Sequence, residues 1–216
     1  MAAVLALRKP VEGNERELAR SAAATPASQV EAGESAVWRQ LLGDDTRRMN
    51  LVYGLHPAVV RPASAPPAGQ LTSGLDPVTM PDILTYYRAT RPLRLVVTGA
   101  AGAGKTVLAL ELLLALINGR AENDPVPGRI PLSRWDTEHQ TLPDLLRQRL
   151  VEAYDWPVHL AASLFRHHLV LPVLDGLDEM DPPAADGSPD PAAPRATAVI
   201  RTLNTYQQGR DAGPSS

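Results

Sequence analysis

Cysteine is absent from the 216 residues, so the chain can hold no disulfide framework and no thiolate metal site, which suits a reducing compartment. Basic charge is not in excess either. Lys and Arg number 21 against 24 Asp and Glu, a net charge of −3, and the arginines are scattered, which disfavours non-specific binding to nucleic acid. Long hydrophobic runs are missing as well: the longest, Val107 to Ile117, is interrupted by Glu111 and falls short of the roughly 20 residues of a spanning helix, so it reads as a core helix. Met1 to Arg8 is too short for a signal-peptide core and has no basic residues ahead of it, so secretion is not indicated and a soluble protein is expected. Aromatic residues are few, with Phe165 the single phenylalanine, while Ala, Pro and Arg are used heavily, a bias that reads as GC-rich bacterial coding. A hydrophobic content of 44% suits one sizeable core, or a core plus a small appendage.

Against these absences stands Leu95-Val-Val-Thr-Gly-Ala-Ala-Gly-Ala-Gly-Lys-Thr106, an apolar strand running into a glycine-rich loop that fits G-x-x-x-x-G-K-[ST] at every fixed position. A chain of this size would show that pattern by chance roughly once in a hundred cases. Gly99, Gly102 and Gly104 permit positive φ and close backbone approach, so the amides from Gly99 through Ala100, Ala101, Gly102, Ala103 and Gly104 can converge on phosphate oxygens. Lys105 adds a mobile positive charge, Thr106 a hydroxyl suited to magnesium, and the following helix aims its positive dipole end at the same phosphates. The segment is expected to bind a nucleoside triphosphate, which places the protein in the cytoplasm, where ATP is supplied.

Elsewhere the chain is organised by apolar spacing and by proline. Asn14 to Leu42 reads as one or two helices broken at Ala22 to Ala27, where Pro26 lies, and Met49 to Val60 contains a short strand. The stretch 61–80 is rich in Pro, Ala and Gly and reads as a linker after a helical region 1–60. Pro81 to Arg88 forms a short helix; Tyr86 or Tyr87 can approach an adenine, though packing against the sheet is the commoner use of such a tyrosine. Gly119 to Gly128 is a polar connection, Arg129 to Ser133 a short strand, and Thr141 to Tyr154 and Val158 to His167 are helices covering the sheet. His159, His167 and His168 have no carboxylate partners at ligand spacing and read as exposed or helix-terminal residues.

The second informative segment is Leu169 to Met180, a strand apolar enough to lie inside a sheet, ending in Asp175, Asp178 and Glu179. An acidic cluster alone is usually a solvated loop. Paired with the glycine-rich loop it acquires a role, because open α/β sheets bind ligands at the carboxyl ends of their strands. Asp175 is then placed to hold magnesium, and Glu179 to orient and deprotonate the water attacking a γ-phosphate.

Together, Gly99 to Thr106 and Leu171-Pro-Val-Leu-Asp-Gly-Leu-Asp-Glu179 resemble the NACHT group of signal-transducing P-loop NTPases, whose second motif is an apolar strand followed by Asp, a small residue (Gly176 here), an apolar residue, Asp and Glu. Ser133-Arg-Trp-Asp136 and the strand before it resemble the corresponding segment of actinobacterial members. The resemblance spans roughly 81–209, leaving 210–216 as a tail. It implies an α/β fold, a three-layer P-loop sandwich with a mostly parallel sheet, and ATP or dATP with magnesium as cofactors. By resemblance Lys105 and Thr106 serve phosphate and metal, Asp175 serves metal, and Glu179 with Asp178 serves hydrolysis. Members are switches of the STAND class that act through protein partners or self-association, in immunity, cell death and bacterial defence.

The chain departs from the pattern at its end. Thr197 to Gln208 reads as a helix, after which the sequence stops before the next core strand, the one that inserts between the two motif-bearing strands. The expected sheet is therefore incomplete, with its motif strands either paired directly or left with open edges. Asp181 to Arg195, dense in Pro, Ala, Asp and Gly, reads as a flexible insertion. Three functions stay open: a slowly hydrolysing ATP switch, a nucleotide-binding but catalytically silent interaction fragment, and a small-molecule kinase, which the water-activating Asp178 and Glu179 disfavour.

Overall fold

The computed structural model describes residues 12–42, 52–55, 69–72, 83–90, 95–100, 102–182, 190 and 192–211. Its elements are helices α1 (Glu12–Ala22) and α2 (Ala24–Leu42), strands β1 (Val52–Leu55) and β2 (Gly69–Thr72), helices α3 (Ile83–Thr90) and α4 (Lys105–Asn118), strand β3 (Val126–Pro131), helices α5 (Leu142–Tyr154) and α6 (Val158–Arg166), strand β4 (Val170–Asp175) and helix α7 (Pro194–Asp211). They fall into two compact units, 1–33 with 120–216, and 34–119.

In the larger unit β3 and β4 run parallel, joined by a crossover through α5 and α6, with Val126 opposite Val170 and Pro131 opposite Asp175. Val126 N–H donates to Leu169 O and Leu132 N–H to Asp175 O, both at 2.8 Å. A parallel ladder engages alternate amides, so the even-numbered amides of β3 face β4 and the odd-numbered ones face away. Pro127 and Pro131 are odd-numbered, and their missing N–H groups remove nothing from the ladder. Pro172 of β4 has its missing donor on the edge away from β3 by the same alternation, and among the described residues no strand pairs with that edge.

The face of β3 carrying Val126, Gly128 and Ile130 is buried under α5. Gly128 is required there, since a Cβ would come within 2.9 Å of Leu150 Cδ2. Tyr154 at the end of α5 is buried, and its hydroxyl accepts from the outward-facing Arg129 N–H at 2.8 Å. Helix α5 begins at the N-cap Thr141, whose side chain accepts from Asp144 N–H, and it has proline in its first turn. Leu145, Leu146 and Leu150 recur on its apolar face, and with Leu164 of α6, Trp156 and Leu132 they form the core. Ala19, Ala23, Ala27 and Val30 are also buried, and α1 packs beside α6.

In the smaller unit β1 and β2 pair antiparallel, Val52 opposite Thr72, and α3 lies next to β2 and α4. Ile83, Tyr86 and Leu108 form a small apolar cluster with Leu95 against it. Arg88 donates to Ala115 O at 3.1 Å near the end of α4, in space that a side chain at Gly119 would take. Among the described residues no helix is long and apolar enough to cross a membrane.

The parallel pair, its crossover and the N-terminal helices form the expected partial α/β fold with a helical start, and five local expectations are corrected. Among the described residues, 95–98 enter no ladder: Val96 is 65% exposed, and an apolar run takes strand form only beside a partner strand. Helices α1 and α2 are separated at Ala23 alone, because Pro26 falls in the first turn of α2, where no amide is needed. Strand β3 starts three residues before the expected Arg129, within a segment read as a polar connection, and β2 falls inside a segment whose composition gave no strand signal. The leading strand-end segment β4 is half-exposed beyond Val170, where full burial is expected of so apolar a strand.

Candidate functional site

The glycine-rich segment belongs to the smaller unit. Gly102 (φ 74°) and Gly104 (φ 80°) both take left-handed backbone, which glycine adopts without steric cost, and Gly104 is the N-cap of α4. Ala103 N–H donates to Ala100 O at 3.2 Å and Leu108 N–H to Gly104 O at 2.9 Å, closing the loop onto the helix. No side chain caps the helix, and a helix start is a place where anions bind. Lys105 folds back over the loop and its ammonium donates to Gly99 O and Ala100 O, each at 3.0 Å. Gly99, Ala100, Gly102 and Ala103 are exposed, Gly104, Lys105 and Thr106 half-buried, and Ala101 lies outside the described residues.

The acidic segment belongs to the larger unit, at the carboxyl end of β4. Asp175 shares a strand face with Arg129, Pro131 and Val173, by the two-residue alternation of both strands. Across that face Arg129 donates to Asp175 Oδ2 at 3.3 Å, with the side chains 18% and 15% exposed. Gly176 follows at φ 78°, and Leu177–Glu179 form one turn of 3-10 helix. A Cβ on Gly176 would sit 3.2 Å from Glu179 Oε2, so the residue that turns the chain also leaves space for that carboxylate. Asp178 and Glu179 are exposed and Met180 is buried beneath them.

Three residues that sequence reasoning did not single out hold this strand end in shape. Arg195, in the first turn of α7, donates to Met180 O and, at 2.7 Å, to Trp135 O. Asp181 accepts from the amides of Arg195 (3.0 Å) and Ala196 (2.9 Å), so its carboxylate caps α7 from fourteen residues upstream. Asp181 and Arg195 are thus fixed ends of the segment read as flexible, whose residues 183–189 and 191 lie outside the described residues. Trp135 is buried, its indole N–H donating to Gln140 O at 3.0 Å. The pairings of Arg195 and Asp181 join residues 14 to 60 positions apart, a range at which residue spacing carries no signal.

Beside them an open cleft is lined by 133–138 and Arg195. Asp136 folds the rim: its carboxylate accepts from the amides of Glu138 (3.1 Å) and His139 (3.2 Å), and the His139 ring stands 3.0 Å from it. These contacts, the Glu138 amide first and the His139 ring next, hold the Asp136 carboxyl below its ordinary value. Of the three histidines considered as ligands, His159 is exposed, His167 caps the end of α6, and His168 takes a left-handed conformation at φ 57°.

Chemically, the two segments offer a helix start without a side-chain cap and a carboxylate at a strand end. Comparison with known proteins returned no matching curated protein and no matching solved structure. The NACHT domain family matches residues 93–204, more than half of the chain, and this range contains both segments. The protein belongs to the NACHT family of nucleotide-binding NTPase modules.

Proposed function

We propose that the chain is an ATP-binding, slowly hydrolysing switch module of the STAND type, serving bacterial defence or regulation from the cytoplasm through protein partners or self-association. The observation that carries this reading is the loop of two left-handed glycines opening uncapped onto α4. Amides and helix dipole favour the phosphate chain, and Lys105, now spent on two loop carbonyls, has a better acceptor in a phosphate oxygen. ATP and dATP fit this chemistry equally, since the base is not addressed by it. In this reading 81–209 is the NTPase module, 1–60 a helical region, 61–80 a linker and 210–216 a tail.

The donor chemistry fits magnesium, a hard cation that takes oxygen ligands: the Thr106 hydroxyl and the Asp175 carboxylate are of that kind. When bound, magnesium neutralises charge on the phosphates. Glu179, on an exposed turn, accepts a proton from the attacking water, and Asp178 beside it assists in orienting that water. Ala100, Ala101 and Ala103 contribute only backbone, which is why small residues serve there.

Nucleotide binding and phosphate release, measured together, test the reading. Wild type should bind ATP and release phosphate slowly, Lys105→Ala should lose both, and Glu179→Gln should bind without turnover. A second reading, a catalytically silent interaction fragment, is favoured by the lack of strand pairing at 95–98 among the described residues. Tight binding with phosphate release no higher than that of Glu179→Gln would select it.

A further inference from the structure

The geometry points to Arg129 as a built-in counter-cation that occupies Asp175 until magnesium displaces it, so that Arg129 sets how much magnesium the Asp175 carboxylate requires. The inference rests on the proposed role of Asp175 as a metal ligand and adds to it the competitor that this chain supplies.

Three observations support it. Arg129 and Asp175 share one face of the parallel pair, two register positions apart along the strands, and the guanidinium reaches Oδ2 at 3.3 Å. Both side chains are largely withdrawn from water, at 18% and 15% exposure, so their attraction is less screened than that of a surface pair. The Arg129 backbone is held independently, because Tyr154 OH accepts its N–H at 2.8 Å and the strand register does not depend on the side chain. The guanidinium therefore sits on a strand whose backbone is fixed without it.

Charge then decides the exchange. Asp175 carries one negative charge, and a cation that binds its carboxylate must share or displace the guanidinium already there. Magnesium demands near-ideal octahedral geometry at short range, which leaves little room for an arginine on the same oxygen. Removing the guanidinium should lower the magnesium requirement, whereas a lysine should preserve it.

The test is the affinity of the full chain for a non-hydrolysable ATP analogue, followed by fluorescence against magnesium concentration. Arg129→Gln should lower the magnesium midpoint about tenfold, the scale of one partly buried ion pair, while Arg129→Lys stays near wild type. Thermal melting establishes that each variant is folded, and direct titration with Mn2+ as a spectroscopic probe should move in the same sense. Asp175→Asn should abolish the magnesium dependence, and Arg129→Gln added to it should change nothing further. An unchanged or raised midpoint in folded Arg129→Gln, with Asp175→Asn behaving as stated, overturns the role of Arg129 alone. If Asp175→Asn keeps the wild-type magnesium dependence, the metal role of Asp175 fails and the inference fails with it.

Discussion

The guanidinium of Arg195 donates to the main-chain oxygen of Trp135 at 2.7 Å, tying the head of α7 to the loop that leaves β3, and its other arm holds Met180 O beneath the acidic turn. One planar group thereby fixes two loops at the strand ends, a geometry that a lysine cannot reproduce.

Arg195→Lys should therefore be almost as damaging as Arg195→Gln. Each loses charge-assisted hydrogen bonds, for an expected destabilisation of about 1.5–3 kcal/mol. Urea unfolding of the three proteins checks this; full stability in Arg195→Lys would show that charge alone suffices there.

Gly176 sits at φ 78° beside Glu179. Gly176→Ala should cost about 1–2 kcal/mol through the left-handed backbone and also displace the Glu179 carboxylate, whereas Gly176→Asn should cost less. Unfolding free energies rank the two, and phosphate release should fall more than nucleotide affinity.

Gly128 and Leu150 form a steric pair across the β3–α5 interface. Gly128→Ala alone should destabilise by about 1–3 kcal/mol by overpacking. Leu150→Ala should cost about 2–5 kcal/mol as a buried truncation. In the double variant the added methyl meets the vacated space, so the total should fall short of the sum, which a double-mutant cycle measures.

Asp144 lies in the first turn of α5, where the Thr141 hydroxyl, then Arg147, hold its carboxyl below the ordinary 3.8. A folded pKa below the unfolded one gives stability that is present above the unfolded value and fades as pH falls through the folded value. Asp144→Asn should accordingly flatten the acid limb of the stability profile below about pH 4 and leave the slope near neutrality unchanged. Thermal melts from pH 2 to pH 7 check the shape.

How much of this was legible in the sequence depends on the range of the interactions. Leu142, Leu145, Leu146 and Leu150 announce α5 through local spacing, and the glycines at 102 and 104 announce their left-handed backbone, since both signals lie within one turn of chain. The apolar run at 95–98 carries the same local signal, yet a strand needs a partner, and the run enters no ladder. Pro127 and Pro131 argue against a strand until the register shows their ring nitrogens facing away from β4. Arg129 to Asp175 and Arg195 to Trp135 span 46 and 60 positions and become visible only when the strands are paired.

The central claim is that Gly99 to Thr106 binds a nucleoside triphosphate, and the most direct test is equilibrium binding of ATP to wild type and to Lys105→Ala. Loss of the ammonium should weaken binding by about 2–4 kcal/mol, a reduction of roughly 30- to 1,000-fold, with the fold intact by circular dichroism. Equal affinity in the two proteins, or no ATP binding by wild type, would contradict the account.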